Sequence, residues 1–175
     1  MLTINVTGTP APQGSKRAFV VNGRAVMKES SNKVKPWRQD VVTGVQHVEQ
    51  LIADGTITGT ELPLAGPLVV TITFYLPRPG YHFGSGRNAG KLKDSAPAYV
   101  DKKPDVDKLV RSTLDGLKEA GVYRDDSQVA QITATKRYAD AATGARITVA
   151  PLTDPVPAAS TPAAGAAPAE QGVLL

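Results

Sequence analysis

The chain reads as an α/β (α+β) domain in which a two-layer mixed sheet is packed against helices. Three observations predict this class. Apolar residues alternate at the N-terminus (Leu2, Ile4, Val6). Two segments, near 36–53 and 105–120, carry apolar residues at helical spacing. Apolar runs of strand length occupy 67–76, 129–136 and 145–149. One side of the sheet is expected to be covered by the two helices.

Leu2-Thr3-Ile4-Asn5-Val6-Thr7 has the period-two pattern of a half-buried strand. Gly8 to Gly14, with Pro10 and Pro12, then breaks regular structure. Arg17–Val21 and Arg24–Met27 flank Asn22-Gly23, a pair that tolerates positive φ and predicts a hairpin. A helix is expected to begin near Pro36, which is tolerated in a first turn. Trp37, Val41, Val45, Val48, Leu51 and Ile52 form its apolar face, and Gly55 stops it. Pro67 to Leu76 has so little polar character that it reads as a central strand. Residues 77–104 show no periodicity and hold many prolines, glycines and basic residues, which predicts a mobile, substrate-contacting loop. The helix over 105–120 has Asp105 as N-cap and Gly121 as its C′ residue. Val106, Leu109, Val110, Thr113, Leu114 and Leu117 form its buried stripe, leaving Asp107, Arg111 and Asp115 along a polar ridge. Two strands joined through Asp140–Gly144 complete a domain over 1–151. Residues 152–175 are dominated by Pro and Ala and predict a disordered tail, dispensable for function.

There is no cysteine, which excludes disulfides, thiolate metal sites and cysteine nucleophiles. No apolar run approaches the ~20 residues of a membrane span. The N-terminus lacks signal-peptide character, so a cytoplasmic protein without membrane partners is expected. Residues 1–151 hold all 20 Lys and Arg but 14 of the 16 acids, a formal +6. That balance suits a polyanionic partner, although a surface tuned for solubility has the same charge. Gly14-Ser15-Lys16-Arg17 lacks the P-loop pattern, so no nucleotide cofactor is expected. His47 and His82 lack metal-ligand spacing, and Trp37 lies on an apolar face, so all three read as structural or surface residues.

The chemistry concentrates between Lys103 and Gln128. Asp105-x-Asp107 stands at a helix entrance, and Asp125-Asp126 follows the helix, with Lys102, Lys103, Lys108, Arg111 and Arg124 around them. Each carboxylate has a structural reading: Asp105 as a cap, Asp115 paired with Arg111, and Asp125-Asp126 as a turn. Held together, however, such carboxylates repel unless a cation neutralises them. Their oxygens suit Mg²⁺ or Mn²⁺, and such ions polarise phosphodiesters. Arg111, one turn after Asp107, is placed to hold a phosphate.

This segment resembles the RusA-like Holliday junction resolvases. Their pattern is Asp-x-Asp-Asn-Leu-x-Lys, then Asp-Ala-Leu, Ala-Gly and Asp-Asp-x-Gln. The chain follows it without a gap over about residues 103–129, and elsewhere in element order alone. The resemblance implies Mg²⁺-dependent homodimers that nick four-way DNA junctions symmetrically, with Asp105, Asp107 and Asp126 as the metal site. The family's essential lysine falls on Arg111 and its asparagine on Lys108. Arg111 keeps the charge but is no proton donor, and Lys108 is placed to take part of the lysine's work. Phosphate contacts are expected from Lys16, Arg17, Arg78, Arg87, Lys91, Lys93, Lys102 and Lys103. Two rival readings are a non-catalytic branched-DNA-binding module and a less selective flap or fork nuclease.

Overall fold

The computed structural model describes residues 1–14 and 32–153, together with the backbone of the strands over 16–21 and 24–29. The Asn22-Gly23 turn, the tail from residue 154, and the side chains of Lys16 and Arg17 lie outside the described residues.

The first strand, β1 (Leu2–Thr7), is followed by a two-stranded antiparallel ribbon of β2 (Lys16–Val21) and β3 (Arg24–Glu29). Helix α1 (Val34–Ala53) and strand β4 (Leu68–Leu76) come next, then helix α2 (Val106–Glu119) and strands β5 (Val129–Tyr138) and β6 (Gly144–Pro151). The main sheet has the order β1-β6-β4-β5. Its β4–β5 pairing is parallel and its β1–β6 and β6–β4 pairings are antiparallel, so the sheet is mixed, as expected. β4 is indeed internal: β5 and β6 are consecutive in sequence, yet β4 lies between them.

Sidedness explains the register. Leu68, Val70, Ile72, Phe74 and Leu76 of β4 are buried, whereas Thr71 between them is exposed. Leu2, Ile4 and Val6 of β1 and Ala145, Ile147 and Val149 of β6 join the same face. A slip of one residue would exchange this set for Thr71, Thr73 and their neighbours. Each buried aliphatic or aromatic side chain contributes roughly 1.5–3 kcal/mol, so the observed register wins decisively.

Helix α1 covers this face through Trp37, Val41, Val45 and Val48, as its spacing predicts. It starts two residues before Pro36, whose missing N–H costs nothing in a first turn. Gly55, at φ +80°, follows its C-terminus. Helix α2 ends on a Schellman motif, in which Val122 N–H donates to Leu117 O and Gly121 N–H to Lys118 O. Trp37 is in the core, and its Nε1–H donates to the buried Thr113 hydroxyl 3.0 Å away.

Two expectations change. The apolar stripe of α2 divides: Leu109 and Leu117 are in the core, while Val106, Val110 and Leu114 face an open cleft beside β5. They do so because the sheet ends at β5, which leaves Val106 exposed and Val110 and Leu114 only partly buried against the core. Residues 77–104 are also more built than expected. They contain short 3₁₀ turns at Gly80–His82 and Gly86–Asn88, a Phe83–Leu92 bridge and a Tyr99–Arg137 bridge to β5.

Candidate active site

The α2 N-terminus and the turn entering β5 place the acidic residues. Asp105 occupies the N-cap position with extended backbone, but its carboxylate caps no helical N–H. It accepts instead from Lys108 Nζ, one turn on, and this bond is the main reason its pKa is lowered. Asp107 lies in the first helical turn, where the helix dipole favours a carboxylate.

The connection after α2 is short and heavily braced. Asp125 caps the 3₁₀ turn Asp126–Gln128 by accepting from Ser127 N–H. Gln128 Oε1 accepts from Arg124 and Asp125 N–H, and its Nε2 donates to Leu64 O and Gly66 O. Lys118 Nζ reaches Asp125 at 2.6 Å and Asp126 at 3.8 Å. The Lys118 bond, with help from Ser127, holds the Asp125 carboxyl far below the usual carboxylate range. Asp125 is thus occupied in shaping the turn, while Asp126 is presented outward.

Asp107, Asp126, Asp115 and Arg111 line one cleft of about 450 Å³, walled by Val106, Val110, Leu114, Ile132 and Ala134. Asp115 is paired with Arg38 of α1 and not with Arg111. Arg111 makes no ion pair among the described residues and is exposed at the cleft. Asp105 and Lys108 open onto a second cleft, of about 410 Å³, with Pro12, Gln13, Gly14, Lys103 and Pro104. Asp107, Asp126 and Arg111 thus share one cleft, whereas Asp105 and Lys108 line the other. Among the described residues, no three carboxylate or imidazole groups stand close enough to hold a metal by themselves.

Sequence reasoning placed Asp115 on the polar ridge with Asp107 but paired it with Arg111, and did not single out Lys118. Both positions carry a helical signal. Asp115 is eight residues and Lys118 eleven residues after Asp107, which puts all three on one ridge.

The basic residues divide as well. Arg87 and Lys91 are exposed. Lys93 and Lys102 are exposed but donate to the Tyr81 carbonyl and hydroxyl, respectively. Lys103 lines the second cleft. Arg78, expected among the phosphate contacts, is turned inward with its side chain 7% exposed. It donates to Pro97 O and Asp140 and lies over the Tyr138 ring, so its charge is spent on packing the loop. His47 is exposed and His82 is buried. No helix among the described residues is long and apolar enough to cross a membrane.

Against curated proteins the chain has no match. Against protein families, the profile of the endodeoxyribonuclease RusA matches residues 7–150, which includes both clefts, β4, β5 and all but the last residue of β6, but only the last residue of β1. With that match over most of its length, and with the Asp-x-Asp and Asp-Asp-x-Gln motifs placed about α2, the chain belongs to the RusA endodeoxyribonuclease family, whose members resolve Holliday junctions.

Proposed function

We propose that the chain is a Mg²⁺-dependent endonuclease that resolves four-way junctions and related branched DNA in recombination and repair, acting as a homodimer in the cytoplasm. The observation that carries this reading is the convergence of Asp107 and Asp126, from separate elements, on one open cleft with Arg111.

The donor set fits the ion. Mg²⁺ is commonly held by one or two carboxylates, with water and substrate phosphate oxygens completing its octahedron. Asp107 and Asp126 would hold it, and Asp105 joins only if Lys108 releases it. When bound, the ion supplies Lewis-acid polarisation of a phosphodiester oxygen. Arg111 binds a non-bridging phosphate oxygen and offsets developing negative charge, but it remains protonated and transfers no proton. Arg38 neutralises Asp115, limiting repulsion inside the cleft. Lys103 and Lys108 lie where a flanking phosphate would bind at the second cleft. The homodimer follows from the substrate: paired nicks on opposing strands need two sites, and a two-fold assembly supplies them.

The test is cleavage of labelled four-way junction, fork and linear duplex with Mg²⁺, comparing wild type with Asp107→Asn. Junction cleavage by wild type and its loss in the variant support the reading. Binding without cleavage by either protein, across several divalent ions, supports a binding module instead. Equal cleavage of fork and junction supports a structure-specific nuclease of lower selectivity.

A further inference from the structure

Two tyrosines stand out on the segment that leads into Asp105. Tyr81 is 59% exposed and Tyr99 is 61% exposed, whereas the other aromatic side chains among the described residues are buried or partly buried. Each ring has a cation beside it. Lys102 Nζ lies 5.5 Å from the Tyr81 ring centre, and Arg137 Cζ lies 5.3 Å from that of Tyr99.

Neither ring is on a loose tether. Tyr81 packs edge-to-face on the buried His82 ring, which packs edge-to-face on Tyr138, and Arg78 lies over Tyr138 in turn. Tyr99 sits in a short extended stretch added to the edge of β5. There Val100 N–H donates to Lys136 O and Tyr138 N–H to Ala98 O. Lys136 Nζ then donates to both Lys102 O and Pro104 O, which ties the chain down as far as Asp105. Asp105 lies six residues beyond Tyr99, a reach of at most about 22 Å.

An exposed aromatic face beside a cation, on a rigid support among further Lys and Arg, suits a nucleobase with its phosphate. In duplex DNA the base faces are covered by one another, so such a ring finds a partner only where bases are unpaired. We propose that Tyr81 and Tyr99 are stacking platforms for unpaired nucleobases beside the branch point, and that they bias the enzyme toward branched over linear DNA. This inference rests on the branched-DNA reading above. A purely structural role, with the cation–π pairs serving only to hold the loop, is the competing account.

The test is equilibrium binding of the full chain in EDTA, so that nothing is cut, to a fork, a four-way junction and a linear duplex. The variants are Tyr81→Leu, Tyr99→Leu and Tyr99→Phe. Leucine keeps bulk without a π face. Phenylalanine keeps the face, and the Tyr99 hydroxyl makes no hydrogen bond among the described residues. Each Leu variant is expected to lose about 5- to 100-fold affinity for fork and junction while duplex binding is unchanged, and Tyr99→Phe to bind as wild type. Abasic sites in place of the bases at the branch should weaken wild type and erase the difference between wild type and the Leu variants. The proposal is overturned if the Leu variants bind all three DNAs like wild type, if duplex binding falls equally, or if their deficit persists on abasic DNA. Wild type that prefers no branched DNA at all defeats the functional reading itself, and this inference with it.

Discussion

Gln128 is the residue on which the placement of Asp126 depends, and Gln128→Glu tests that dependence with almost no change of shape. In the wild type, one amide oxygen accepts from Arg124 and Asp125 N–H at 3.0 and 3.2 Å. The amide nitrogen donates to Leu64 O and Gly66 O, both at 3.2 Å. Glutamate preserves the acceptor and removes the donor, so two hydrogen bonds are lost and a carboxylate oxygen faces two carbonyl oxygens. At about 0.5–1.5 kcal/mol net per bond, the loss is roughly 1–3 kcal/mol before any repulsion. For a chain of this size that corresponds to a fall in Tm of very roughly 2–10 °C. The larger effect is expected in catalysis. The turn carrying Asp126 is tied to the 64–66 segment by this side chain, beyond the backbone bond from Leu64 N–H to Val122 O, and to α2 by Lys118. A displacement near 1 Å at a reacting centre costs on the order of 100-fold in rate. The assays are thermal unfolding and single-turnover junction cleavage at saturating Mg²⁺. Wild-type unfolding together with a wild-type rate would refute the reasoning and reduce Gln128 to a surface residue.

Two further predictions concern the scaffold. Thr113→Val leaves the buried Trp37 Nε1–H without its acceptor and should destabilise the fold by about 1–3 kcal/mol. Trp37 is the only tryptophan, so its fluorescence during urea unfolding reads the change directly, and a midpoint equal to wild type would contradict it. Burial, with smaller contributions from Arg78, Lys102 and Lys93, lowers the His82 pKa, so the folded chain keeps His82 neutral where the unfolded chain takes a proton. That stability is whole above the unfolded value near 6.5, falls as pH drops below it, and levels off once His82 is protonated in the fold. Urea midpoints between about pH 7.5 and pH 5 should therefore decline in wild type and decline less in His82→Gln; equal slopes would count against the assignment.

The fold was legible in the sequence where one signal dominated. Alternation in β1 and helical spacing in α1 and α2 each report a single buried face, and local pattern then follows directly from burial. The strand order was not legible. That β4 separates β5 from β6 depends on contacts between residues far apart in sequence, to which periodicity is blind. The split of the α2 stripe was hidden for a related reason. Val106, Val110 and Leu114 have the same spacing and chemistry as Leu109 and Leu117. What distinguishes them is the end of the sheet at β5, which leaves one side of α2 only partly covered. Residues 77–104 misled because their order comes from specific side-chain bonds, such as those of Arg78 and Lys136, and not from any repeat.

The site shows the same division between residue type and direction. Sequence identified the carboxylates as a group, and the structure distributes them by what each is bonded to. Asp125 is consumed by the turn it caps, Asp115 by Arg38 and Asp105 by Lys108, which leaves Asp107 without an ion pair among the described residues and Asp126 with only a distant one. The adjacent pair Asp125-Asp126 thus has two separate jobs. The first carboxylate and Gln128 build a rigid 3₁₀ turn, and that turn aims the second carboxylate at the cleft. Without the brace, Asp126 would be one more solvated surface acid, and without Asp126 the brace would hold no carboxylate at the cleft that Asp107 lines.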